Sequence, residues 1–257
     1  MKMLKTIKYE FRRSIGAFII LGVIFGLLEL YYLYGVFADK TKHMGIAIVL
    51  LMIASMAMYM FVLLFSILSY KKDIEQKQGY LVFMTPTSTY SVIGAKLITT
   101  LITGVAIVAV IFALFAIDWK ILMSKDKNLS NFIDLMEDVF EAMSFKTDNI
   151  ILGLLALVFV FLISFYLMVT IAYLALSLSN TLLSNKKGKG FISFVFFIIL
   201  YIVITVISNK LPHIGKQPFT QITDAMIYNI PQYLFHTVMI VVCFYSSAWL
   251  LNNKINL

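Results

Sequence analysis

Apolar residues run in six long blocks along the chain, at 15–37, 45–70, 97–119, 150–178, 191–207 and 232–251, with polar stretches between them. A helix that crosses about 30 Å of hydrocarbon needs roughly 20 mostly apolar residues. The blocks meet that length, the fifth at the lower edge of the usual range. The pattern therefore predicts six membrane-spanning helices. All four prolines, Pro86, Pro212, Pro218 and Pro231, fall outside the blocks, as continuous helices require. Trp119, Trp249 and the Tyr31, Tyr32 and Tyr34 group lie toward block ends, where amphipathic rings favour the headgroup layer. The first block is too long for the apolar core of a secretory signal, and no small-residue cleavage site follows it. It is expected to be a retained anchor.

Composition agrees with that pattern. The 257 residues are 61% apolar and 13% charged, against about 45–50% and about 25% in a soluble domain. An ordinary soluble globule, a disordered chain and a disulfide scaffold are excluded, the last because Cys243 is the single cysteine. The +8 net charge is unevenly placed: thirteen Lys and Arg fall in the two tails and the even-numbered connections, against eight in the odd-numbered ones. By the positive-inside rule both termini should face the cytosol. The excess positive charge then meets anionic lipid headgroups, not nucleic acid. The expected fold is one all-α polytopic membrane domain over residues 1–257. It has six transmembrane helices, an N-terminal interfacial amphipathic helix and cytosolic termini.

Four segments between or before the spans carry further signals. In residues 1–13, Met1, Leu4, Ile7 and Phe11 recur at helical spacing among Lys2, Lys5, Lys8 and Arg12, the pattern of a short helix lying along the inner interface. Residues 71–96 are too long for a simple hairpin; a short helix is expected from Asp73 to Gln78, stopped at Gly79. A turn follows at Thr85-Pro86-Thr-Ser88, whose hydroxyls would cap the next helix. In the outer loop 120–149, residues 131–145 have helical periodicity, with Asp134, Glu137, Asp138 and Glu141 on one face. Without a His or Cys among them they read as a solvated face before a metal site. Segment 208–231 holds three of the four prolines and reads either as a re-entrant stretch or as a plain surface loop.

Taken with the topology, the 71–96 segment resembles the permease subunit of ABC-2-type transporters, in particular those of bacitracin- and lantibiotic-type peptide-export systems. The matching residues are Asp73, Glu75 and Gly79, then Thr85, Pro86 and Ser88, then Gly94 and Lys96 entering the third span, with Ala95 inserted between the last two. The resemblance implies that these residues form the coupling patch for a separate cytosolic ABC ATPase subunit. It also implies that a second permease subunit, identical or different, completes the path. The cargo it implies is exported and amphipathic: a peptide, antibiotic or lipid-like molecule. ATP and Mg would be bound by the partner, since no Gly-x-x-x-x-Gly-Lys-[Ser/Thr] run occurs here to wrap phosphates. The expected location is the plasma membrane of a bacterial cell.

Polar residues inside the blocks supply the remaining candidates. Glu29 is read as the only acidic residue well inside a span, and a charge at membrane depth costs about 2.5–3.5 kcal/mol on insertion scales. Gly22 and Gly26 share its helical face in a Gly-x-x-x-Gly arrangement suited to close helix packing. The three residues are assigned either to a subunit interface or translocation path, or to packing near the outer end. Tyr166, Thr170, Tyr173 and Ser177 form a polar stripe in the fourth block. They either line a path or join helices. His236, Cys243 and Ser247 share a face of the sixth block but lack a fourth ligand, so no metal site is expected. No catalytic residues are assigned, because lone Glu29 and the scattered His43, His213 and His236 supply no catalytic pair. A membrane-embedded enzyme is thus the weaker rival, beside an ATP-independent channel or secondary transporter.

Overall fold

The structure is a computed structural model that describes residues 2–38, 40–75, 88–125, 150–182, 188–215 and 222–253. Every element among them is a helix: α1 Lys2–Phe37, α2 Thr41–Glu75, α3 Thr89–Lys125, α4 Ile150–Leu182, α5 Lys189–Asn209, α6 Ile222–Tyr228 and α7 Ile230–Asn253. All but α6 are long and apolar enough to cross a membrane, six in total among the described residues. The chain divides into two compact units, residues 1–72 with 81–127, and residues 73–80 with 128–257.

Several helices run past the expected span ends. The basic leader is helical, but it is not a separate interfacial element: it continues into the first span as one helix of 36 residues. No proline interrupts it. At the junction the Ser14 hydroxyl donates to the Glu10 and Phe11 carbonyls of its own helix, at 3.0 and 2.9 Å. Likewise Asp73 and Glu75 do not open a new short helix; they complete the last turn of α2. Gly79, Thr85 and Pro86 lie outside the described residues, as does the amphipathic stretch 131–145. At 1.5 Å per residue, α1, α2 and α3 are each about 50–55 Å long, well beyond the hydrocarbon layer.

In the first unit α1 and α2 form a tight hairpin. The Lys40 amide donates to the Gly35 carbonyl at 3.0 Å, and the Met44 amide donates to Lys40 at 3.1 Å. Buried Tyr32, Val36 and Ala47 pack there with Ile121 of α3. The Tyr31 hydroxyl pairs with His43 Nδ1 at 2.9 Å. Farther along, Phe18 of α1 meets Phe61 and Phe65 of α2, with ring centroids 6.0 and 5.7 Å apart. At Gly35 the two backbones approach closely: a Cβ there would lie 2.9 Å from the Met44 nitrogen. Gly35→Ala is expected to cost about 1–3 kcal/mol, an overpacking penalty. Gly45→Ala, whose methyl would meet nothing within 4 Å, serves as the control in thermal unfolding of the detergent-solubilised protein.

The second unit is built around α4. Its Leu167 and Ile171 form a buried cluster with Ile204 of α5 and Cys243 of α7. The turn into α5 uses Gly188 at φ 105°, a left-handed conformation that glycine adopts without a Cβ clash. The Ser179 hydroxyl of α4 ties that turn by donating to the Lys189 carbonyl at 2.9 Å. After α5 the chain turns through Gly215 and is pinned to the end of α6. The Ile214 amide donates to the Tyr228 carbonyl at 3.2 Å, and the His213 and Tyr228 rings stack 4.2 Å apart. The break between α6 and α7 falls at Asn229 because Pro231 has no N–H to continue the ladder.

Candidate functional site

Two constellations of charged side chains stand out in the first unit. The first joins α1, α2 and α3. Lys96 Nζ donates to Glu10 Oε1 at 2.7 Å and to the Ser69 hydroxyl at 3.0 Å, and that hydroxyl donates to Glu10 Oε2 at 3.2 Å. The Lys96 and Glu10 side chains are only 3% and 6% exposed. One turn away, Ser66 and Thr100 share a hydrogen bond of 2.8 Å. Taking two charges out of water costs several kcal/mol each, so a buried pair persists only when its hydrogen bonds are met. The closed Lys–Ser–Glu ring meets that condition. It clamps α2 and α3 close to where they lead into and out of residues 76–87.

Lys96 was expected on a partner-facing patch, and the structure instead buries it inside the three-helix unit. Asp73 is also buried, at the end of α2. Gly94 lies on the first turns of α3, two residues from Lys96. Ser88 is at the N-terminus of α3, where its Oγ accepts from the Ser91 amide at 3.3 Å, the cap expected of it. Glu10 is the residue that sequence reasoning passed over. Its signal was present: it is the one carboxylate in a thirteen-residue leader holding five cations.

The second constellation corrects the reading of Glu29 as a lone acid. The Asp118 carboxyl, toward the far end of α3, lies close to the Glu29 carboxyl, within its electrostatic reach. Buried Tyr32 lies within electrostatic reach of both. Asp118 Oδ1 is itself buried and has no hydrogen-bond partner among the described residues. Glu29 also ends an apolar groove of about 460 Å³ between α1 and α3, with Gly22 and Gly26 along its α1 side. A Cβ at either glycine would meet nothing within 4 Å. Neither glycine is therefore a point of close helix contact among the described residues; both border open space.

The polar stripe of α4 is placed differently. Thr170 and Tyr173 are each 1% exposed and Ser177 is fully buried. The Thr170 hydroxyl donates to the Tyr166 and Leu167 carbonyls, at 2.9 and 3.1 Å, and Ser177 donates to the Tyr173 carbonyl at 2.9 Å. These hydroxyls turn back onto their own helix. Along α1, the Glu10 and Glu29 levels are about 28 Å apart at 1.5 Å per residue. The pairing of Glu10 with Lys96 and of Glu29 with Asp118 shows that α1 and α3 run parallel. No family model, curated protein or solved structure matches this chain.

Proposed function

We propose that this chain is the membrane-spanning subunit of an ATP-driven exporter. It works beside a second permease subunit, of the same or another kind, and is powered by separate cytosolic subunits that bind ATP and Mg. The cargo class is an amphipathic peptide, antibiotic or lipid-like molecule, and both chain termini lie in the cytosol. The observation that carries this reading is the buried Glu10–Ser69–Lys96 ring. It locks together the helices on either side of the segment bearing Gly79 and Pro86, so a push on that segment reaches α1, α2 and α3 as one body. A rigid element displaced by a partner is how such a push would bias a two-state bundle.

Isolation in mild detergent followed by mass spectrometry is expected to recover an ATP-binding subunit. In the reconstituted complex, a bulky charged residue at Gly79 or Pro86 should abolish substrate-stimulated ATPase activity. Normal stimulation in both variants, or a chain that transports without nucleotide, overturns the reading. The Glu29–Asp118 pair favours one other reading, a proton-coupled secondary transporter, since carboxyls at membrane depth serve such relays. Uptake into proteoliposomes driven by a pH gradient alone would select it.

A further inference from the structure

The groove between α1 and α3 points to a ligand of its own. We propose that it binds a single-tailed amphiphile with a cationic amine head. The tail lies along the Gly22–Gly26 face and the ammonium sits on the Glu29–Asp118 pair. The site needs nothing beyond the first three helices, and it stands whether or not nucleotide drives transport.

Size, wall chemistry and charge agree on this occupant. A volume of about 460 Å³ falls within the roughly 300–1,000 Å³ usual for small-molecule sites. The walls come from residues such as Phe25 of α1 and Ile107, Val110 and Leu114 of α3. Two hydroxyl-bearing residues also border the groove, but both hydroxyls are turned back on their own helices. Ser14 donates to the Glu10 and Phe11 carbonyls, and Thr103 donates to the Thr99 and Thr100 carbonyls. That leaves the Glu29 carboxyl as the charged group in the lining. Glu29 follows Gly26 by three residues and Asp118 follows Leu114 by four, so each acid continues its helix's groove-facing row by about one turn.

The acid pair discriminates among amphiphiles. A neutral head offers no compensating charge, and an anionic head is repelled by two carboxyls. An ammonium carries up to three N–H donors. It can pair with the Glu29 carboxyl in the lining and also donate to Asp118 Oδ1, which is buried without a partner among the described residues. The two glycines keep the tail's channel open, since a side chain at either position would project into free space.

The test uses the full chain in phosphatidylcholine nanodiscs with tritiated dodecylamine as probe. Binding is expected to saturate at one molecule per chain. Unlabelled dodecylamine should compete at least about tenfold better than dodecanol, a preference that measures the head-group interaction. Dodecyl sulfate should not compete. Glu29→Gln combined with Asp118→Asn should bring the amine and the alcohol to within about twofold of each other. Gly22→Leu, which fills the channel without touching the acids, should weaken both. Gly26→Leu asks the same question if circular dichroism shows the first variant misfolded. Equal competition by dodecanol on the wild-type protein overturns the proposal, and that measurement needs no variant. So does an amine preference that survives loss of both acids. Uptake no greater than that of empty discs would mean that the groove holds only a lipid chain, and would also overturn it.

Discussion

Lys96→Met is expected to cost the protein about 3–5 kcal/mol, because it strands the Glu10 carboxylate in a buried site with its charge partner gone. Methionine nearly matches the length of lysine and has no donor, so the loss reports charge pairing and little change of volume. The Ser69 hydroxyl remains to donate to Glu10 at 3.2 Å, but one neutral hydrogen bond does not offset an unpaired buried anion. Removing both charges should behave differently. Replacing a whole buried ion pair by apolar side chains is often neutral or stabilising by about 1–4 kcal/mol. Glu10→Leu combined with Lys96→Met should therefore recover most of the single-variant loss, giving a coupling energy of several kcal/mol in a double-mutant cycle. Equilibrium unfolding in mixed detergent–SDS micelles, followed by far-ultraviolet circular dichroism, measures all four species. A Lys96→Met loss within about 0.5 kcal/mol, the range of surface changes, would mean that Glu10 reaches water and that no ring clamps α1, α2 and α3.

Ile171→Ala is expected to cost about 2–3 kcal/mol. Ile171 is 0% exposed and sits with Leu167, Ile204 and Cys243 at the junction of α4, α5 and α7. In water such truncations cost about 2–5 kcal/mol, part from transfer and part from the cavity left behind. Between helices in a bilayer the transfer part shrinks, since lipid tails are as apolar as the side chain. The lost packing contacts remain, which places the effect at the lower end. The matched control is Ile202→Ala, on a side chain that is 53% exposed and expected to change stability by no more than about 0.5 kcal/mol. Equal losses at the two positions would deny α4 its place at the centre of this unit.

The spans were legible because hydrocarbon thickness sets a length and composition that few other contexts demand. Their ends were less so. Nothing in the leader breaks a helix before Ile15, so the first span begins well upstream of the first apolar block, and α2 likewise continues through Asp73 and Glu75. The polar ring was beyond the reach of pattern reading, since Glu10 and Lys96 stand 86 positions apart and only the adjacency of α1 and α3 joins them. The same adjacency gives Glu29 its partner. Asp118 was visible at the close of the third span, but periodicity within one helix says nothing about which neighbour it meets. On α4 the Thr170 and Ser177 hydroxyls donate to carbonyls one turn back, an option open to any Ser or Thr in a helix.

The about 28 Å between the Glu10 and Glu29 levels nearly equals the hydrocarbon depth of a bilayer. Sliding the first three helices along the membrane normal by one turn would shift the half-buried Glu29 carboxyl relative to the oil, at about 2.5–3.5 kcal/mol for a charge carried inward. The Glu10–Lys96 ring, already sealed inside the three helices, would travel at little cost. Glu29 thus acts as a stop against a stroke in one direction, whereas swivelling or leaning would leave it at its own depth.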